Sequence, residues 1–531
     1  MNMSLSVLAL TIPPTMLLLL GLVPSRLANR YHLATGWLTI MLSGLACLLS
    51  LIVASARLSG TLPSFYASLA TSPWSPHLEL SIFYDNLTAF MLSLVSFLGL
   101  ITCRFSRRYL DGELAQGQYF RWMAFTIGAI CWMVISGNLL MFLFAWFTTS
   151  LGLHQLLTHY KHRPHARRSA WTKFAISRLG DLLLFAAIML TIQVLGTQAL
   201  PDIIERSKSL LLSPELMTRE HSMIVWLLVM GAAIKTVQFP FHAWLPDTLE
   251  TPTPVSALMH AGIVNAGGYL LIRINPVLGL EPTALSALAL VGAVTACLGV
   301  VIMSTQTSVK RSLAFSTVAQ MGFMMLQCGL GAFSAAMLHI LAHSMYKAYA
   351  FLNSGTVDLQ SQRQLKPRNL KTSAVYRWGV LPVALICSVV LVVGLSVLLR
   401  LDLWNKPGGV LLAFILILAL SGWSWQILIG GSLKSKIVGL SSVAGIGLAS
   451  LGSYALIDLF VGDLVAKLPI GLNQSWVFWS IGLIFGALFV MHIGLANGWR
   501  HAWLDSLRIH ASSGFYFGSI YQRLFSNVLT S

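Results

Sequence analysis

Ser222-Met-Ile-Val-Trp-Leu-Leu-Val-Met-Gly-Ala-Ala-Ile-Lys235-Thr-Val-Gln-Phe-Pro240 is an apolar run with a lysine near its end and a proline closing it. A helix of about 20 apolar residues crosses a ~30 Å hydrocarbon core, so the run predicts a membrane span. An ionisable side chain inside such a span is costly and marks a functional site by default. Pro240 has no N–H to offer the carbonyl of Thr236, which predicts that the helix opens one turn after Lys235. Pro246, Pro252 and Pro254 prolong the interruption, with Asp247 and Glu250 between them. A broken helix beside a buried charge is how transporters turn backbone dipoles toward an ion. Residues 241–252 also read as a plain helix–loop–helix hinge at the membrane face.

The rest of the chain is of the same kind. Of its 531 residues 56% are hydrophobic and only 10% charged, where soluble domains carry about a quarter charged residues. That excludes an ordinary soluble enzyme. About fifteen apolar stretches recur, from 5–24 to 475–496, and none shows the ten-residue alternation of a β-barrel. The expected fold is an all-α polytopic membrane protein: N-terminal spans over 1–119, an ion-translocating core over 120–431, C-terminal spans over 432–497 and a tail over 498–531. The formal charge of +17 could suggest nucleic acid, but 24 of the 34 Lys and Arg fall in alternate loops on one side and eight on the other. By the positive-inside rule the N-terminus is periplasmic and the C-terminus cytoplasmic, in a bacterial inner membrane. No nucleic-acid partner is expected. The six cysteines lie in or at the ends of apolar stretches with no metal-ligand spacing, and no glycine-rich dinucleotide loop follows a strand, so neither a metal nor a redox cofactor is expected in this chain.

Few polar groups lie at bilayer depth. His339, His343 and Lys347 are spaced i, i+4, i+8, so they turn only ~80° around a helix while rising ~12 Å and form one stripe. Histidine titrates near neutral pH and a desolvated lysine gives up its proton readily, so the row suits proton hopping; interhelical hydrogen bonding is the structural alternative. His260 sits among Ser256, Gly262, Asn265, Gly267 and Gly268, small residues that let helices approach closely. Arg178 and Asp181 are three apart, at ion-pair spacing on a helix. His154 lies late in the fifth span, seven residues after Phe147 on the same face, and serves either as packing or as part of a relay. His159, His162 and His165 belong to a basic loop with Arg163, Arg167 and Arg168 that suits lipid headgroups. Over Ile509 to Phe525, Phe515, Tyr516, Phe517, Tyr521 and Phe525 are interleaved with Arg508 and Arg523, as in an aromatic anchor at a partner or at the headgroup layer.

Lys235 to Asp247, Thr251-Pro-Thr-Pro-Val-Ser-Ala-Leu-Met-His260, Arg178-Leu-Gly-Asp181, Lys310-Arg311-Ser-Leu-Ala-Phe-Ser-Thr317 and Leu338 to Ala348 resemble the antiporter-like family. That family holds the proton-pumping membrane subunits of respiratory NADH dehydrogenase and of multisubunit sodium/proton antiporters. The resemblance implies two inverted five-helix repeats, with Lys235 as the switching lysine and His260, His339, His343 and Lys347 on a hydrated axis. Two departures stand out. Family pumps carry a glutamate after the tryptophan of the fifth span, but Trp146 is followed by Phe147, so the lysine's acidic partner is expected to be missing. The family's later lysine in a broken twelfth span has no counterpart within 377–399.

Phe105 to Glu113, Ser136 to Leu140, Ser150 to His154, His260 to Tyr269 and His510 to Tyr516 are similar to the DabB branch of that family, from DabA–DabB inorganic-carbon systems. This resemblance implies a proton-conducting membrane subunit that is not itself an enzyme. It also implies a zinc-containing, carbonic-anhydrase-like DabA partner on the cytoplasmic side that hydrates CO2 to bicarbonate. A subunit of a respiratory NADH dehydrogenase or of a sodium/proton antiporter is the alternative.

Overall fold

The computed structural model describes residues 2–72, 75–160, 162–356, 373–406, 408–430, 432–465, 475–521 and 523. Lys161, the basic stretch 357–372 and Phe525 lie outside them. In chain order the elements are α1 (Met3–Gly21), α2 (Ser25–Arg30), α3 (His32–Leu58), β1 (Phe65–Ser72), β2 (Ser75–Tyr84), α4 (Asn86–Tyr109), α5 (Gln116–Ile135), α6 (Leu139–Leu157), α7 (Pro164–Leu195) and α8 (Leu200–Leu212). There follow α9 (Arg219–Lys235), α10 (Trp244–Asp247), α11 (Thr253–Ala261), α12 (Ala266–Arg273), α13 (Asn275–Leu278), α14 (Pro282–Met303), α15 (Val309–Gly329) and α16 (Phe333–Leu352). The last are α17 (Ala374–Leu398), α18 (Gly409–Leu428), α19 (Leu433–Val461), α20 (Ser475–Ala496) and α21 (Ala502–Ser512).

The helical membrane architecture is as expected. Among the described residues eleven helical spans are long and apolar enough to cross a membrane, α11 and α12 forming one of them. Helices α5, α9, α15 and α16 stand where further spans are expected but fall short in length or apolar character, so the figure of fifteen rests on the sequence alone. One addition is an antiparallel β1–β2 hairpin at the end of α3. It is tied to the start of α6 by Gly137 N–H to Ser81 carbonyl at 2.8 Å and by the Asn138 amide to Glu79 carbonyl at 2.8 Å.

One continuous apolar core runs through α1 to α16 and takes in Ile457 and Val461 at the end of α19 and Ala511 of α21, while the rest of α17 to α20 packs in smaller separate clusters. Within the main core α14 and α15 lie almost backbone to backbone. A Cβ on Gly322 would stand 2.4 Å from the Ala296 nitrogen, and one on Gly292 2.4 Å from that of Leu326. Small residues at both faces make that approach possible.

Two helix breaks position the site, and neither falls where the sequence predicts. Helix α9 ends at Lys235 itself, four residues before the expected opening near Pro240. Val237 adopts a left-handed backbone (φ 54°), which no helix can continue through. The last carbonyls of α9 are instead met by Thr236, whose hydroxyl donates to Ala232 at 2.8 Å, and by Gln238 N–H to Ala233 at 3.2 Å. Lys235 therefore sits at a helix C-terminus, where the dipole favours a cation. The second break divides the predicted span 253–272. Helix α11 stops after Ala261, a short 3-10 turn covers Ile263–Asn265, and α12 resumes.

Candidate ion-translocation site

Helix α7 has 32 residues, about 48 Å at 1.5 Å per residue, and runs antiparallel beside α9. The two approach through Gly180 and Gly231. A Cβ at Gly180 would lie 2.6 Å from Lys235 Cγ, so only glycine there lets the lysine lie flat on α7. Its ammonium then meets Asp181 Oδ1, while Asp181 Oδ2 takes Arg178 Nη2 at 2.7 Å. The expected Arg178–Asp181 pair is present, and it is one half of a triad. This corrects the expectation that Lys235 lacks an acidic partner. The carboxylate comes from the neighbouring helix α7 rather than from the position after Trp146 on α6. Trp146 places its ring 4.0 Å below the Lys235 ammonium, and Phe147 holds the Arg178 guanidinium over its face at 4.2 Å. Both contacts are cation–π in kind.

His154 is not beside Lys235. Its ring lies edge-on to Trp171 at 4.8 Å and against Phe174 at 5.2 Å, within electrostatic reach of Lys173 and Arg178. Lys173 falls, by position, among the 24 Lys and Arg on the basic side. In the fold it lies inside α7, 5% exposed, donating to Ser150 Oγ at 2.7 Å. The signal that could have found it is its place five residues before Arg178 on one apolar-flanked helix.

The stripe on α16 forms a second cluster. His339 and His343 stack with centroids 5.8 Å apart, and both ring nitrogens of His343 lack a hydrogen-bond partner among the described residues. His343 lies within electrostatic reach of His339, Lys347 and His260. His260, wholly buried, stacks on Phe351 at 4.3 Å. Lys347 Nζ donates to the Leu313 carbonyl at 3.0 Å. The Thr317 hydroxyl donates to the same carbonyl at 3.2 Å and lies 3.0 Å from His260 Nδ1. His260 Nε2 has no hydrogen-bond partner among the described residues. Thr317 and the Leu313 carbonyl thus join His260 to Lys347, a link no spacing rule reveals. Among the described residues no hydrogen bond or ion pair connects this cluster to the Lys235 triad.

The stretch expected to hold a broken twelfth span has no lysine within 377–399. Helix α17 runs unbroken through Pro382. Lys406 stands beyond it, in the turn before α18, and forms an ion pair with Asp458 of α19. The aromatic tail packs on its own chain. Phe517 lies 4.7 Å edge-on to Phe239, and the Tyr521 hydroxyl donates to the Pro240 carbonyl at 3.0 Å. Those two aromatics cover the interruption that follows Lys235.

Residues 136–430 match the family described as NADH:quinone oxidoreductase/Mrp antiporter, TM. The probable inorganic carbon transporter subunit DabB2 of Halothiobacillus neapolitanus is 36% identical over 457 residues, covering 83% of this chain and 78% of that one. The chain belongs to the DabB family. The probable inorganic carbon transporter subunit DabB of Hydrogenovibrio crunogenus agrees at 34% identity, over 83% of this chain and 82% of its own. The chloroplastic NAD(P)H-quinone oxidoreductase subunit 5 of Acorus calamus is 31% identical over 66% of this chain and 47% of its own. Among solved structures, a chain of the Mrp complex from Dietzia superposes with a TM-score of 0.60 at 22% identity, over 96% of this chain and 59% of that one. One from respiratory complex I of Thermus thermophilus gives 0.53 at 18%, over 97% and 99%. These two likenesses are of fold.

Proposed function

We propose that this DabB-family chain conducts protons through the inner membrane and couples their flow to CO2 hydration by a zinc-containing DabA-type subunit on the cytoplasmic side. The observation that carries this reading is the triad: an intramembrane lysine whose carboxylate is shared with a second cation. While Asp181 faces Lys235, the opposite charge favours the ammonium. When Asp181 turns fully to Arg178, Lys235 is left desolvated without an anion and releases its proton. The proton lost from Lys235 Nζ is then carried on by groups that take and return one proton each, with His260, Lys347, His343 and His339 as the second stage. His154 borders the first. The zinc chemistry belongs to the partner, and this chain contributes the ion path.

The test is bicarbonate accumulation in cells carrying this chain and its partner. Uptake is expected to collapse with an uncoupler and with Lys235→Ala while the assembled complex persists. Normal uptake in a well-assembled Lys235→Ala complex would defeat the reading. A second reading, a subunit of a sodium/proton antiporter or respiratory dehydrogenase, draws on the chloroplast relative and the Mrp fold; copurification with antiporter or dehydrogenase subunits would favour it.

A further inference from the structure

Two cavities meet at Trp244. The larger, about 380 Å³, opens beside the basic loops and is lined by His165, Arg168, Thr172, Asp247, Glu250 and Arg311 among others. The smaller, about 20 Å³, lies deeper, between Lys173 and Lys235, with Ser150, Ser177 and Trp146 in its walls. A volume of about 15 Å³ suffices for one water when polar partners surround it, and two lysines and two hydroxyls do so here. Trp244 belongs to both linings and is the partition between them. Thr172, on the outer cavity, is the chain neighbour of Lys173, on the inner one.

Lys173 is the group this arrangement leaves unexplained. It is buried, and its ammonium is held by the Ser150 hydroxyl and carbonyl with no carboxylate paired to it among the described residues. It lies within electrostatic reach of Lys235, Arg178 and Asp181. A structural lysine would be expected to have an anion. Outside the membrane, burial pushes the Asp247 carboxyl upward against the opposing pull of Arg311 and His165, so it holds a proton more readily than an exposed carboxylate would.

We infer that the outer cavity is the proton vestibule and that Lys173 passes protons between it and Lys235, one water at a time, past Trp244. A proton leaves Lys173 Nζ for the bridging water as that water gives one of its own to neutral Lys235 Nζ. The water ends as it began, and one positive charge has moved. The step runs equally in reverse. It rests on the proposal that Lys235 is the switching lysine.

The experiment is proton flux into proteoliposomes bearing the full complex with its copurified partner, read by an enclosed pH-sensitive dye. Lys235→Ala tests the underlying function, and if it conducts like the parent that reading falls. With Lys235→Ala inactive, Lys173→Met is expected to lower flux by about 100-fold or more, the low end of what a proton-transfer group contributes. Lys173→Arg keeps the charge and the donors but cannot release a proton, so it should be as impaired as Lys173→Met. Full flux in either variant would overturn the inference. Thr172→Cys supplies a measurement independent of Lys173. A charged methanethiosulfonate should label it from the vestibule side and block flux relative to identically treated parent. Failure to label, or complete labelling with flux unchanged, would overturn the vestibule.

Discussion

Among the described residues two cation–carboxylate pairs are deeply buried, and they are built differently. Arg273 on α12 donates to Asp85 Oδ2 at 2.6 Å, to the Tyr269 hydroxyl at 2.8 Å and to the Thr88 hydroxyl. Asp85 in turn caps α4 through Thr88 N–H at 2.9 Å. Arg273 and Asp85 are 3% and 4% exposed, and the cation can never lose its proton. Such a pair can only anchor. Lys235 has one carboxylate, a tryptophan face and a rival cation for that carboxylate. The cost of burying charge is similar in both places, but only in the second can it be relieved by moving a proton. Fully shared hydrogen bonds make an ion pair structural, and a contested carboxylate makes it switchable.

The sharpest way to break this comparison is to remove one partner of each pair. Lys235→Ala is expected to lower proton flux by about 100-fold or more, within the range of a positioned proton-transfer group, with little loss of complex. Lys347→Ala, lacking any carboxylate to release, should do the same by interrupting the path to His260. Asp85→Ala should do the opposite, costing about 3–5 kcal/mol by leaving Arg273 buried without its anion. Flux per assembled complex would be kept, as thermal unfolding and flux on the same preparation would report.

Gly180→Ala sharpens it. The new methyl displaces the Lys235 side chain from α7, and a shift of about 1 Å can cost tenfold or more in a step that depends on alignment. Flux should fall with the partner still bound. Phe147→Glu should have a smaller effect, because the new carboxylate meets Arg178, which lies over that ring now. Asp181 is then left to Lys235, the ammonium is held more tightly, and turnover slows; faster flux would contradict the shared-carboxylate argument. His154→Phe is expected to change flux least, since its ring packs among Trp171 and Phe174.

Much of this was legible in the chain. Hydropathy over about 20 residues identifies a polytopic helical protein because lipid leaves backbone groups no other partners. The i, i+4, i+8 spacing of His339, His343 and Lys347 places them on one stripe because a helix turns 100° per residue. Their motifs identified the antiporter-like family. Both signals are local, which is why they survive in a linear string. The proline rule for the break after Lys235 was near but late, since the left-handed Val237 ends α9 first.

What only the tertiary structure decided concerns which groups meet. Asp181 and Lys235 are 54 residues apart, and their pairing depends on how closely α7 and α9 approach and how each is rotated. Two glycines set that approach, and they are unremarkable in the sequence. Lys173 counts among the basic-side cations until α7 is seen to extend past the membrane face and turn it inward. The tail's Phe517 and Tyr521 find the interruption at Phe239–Pro240 in the same way. The sequence by itself determined that charges lie in the membrane and on which helices. Which charge answers which was decided by packing, because an ion pair is a distance between side chains and helical periodicity carries no distance between helices.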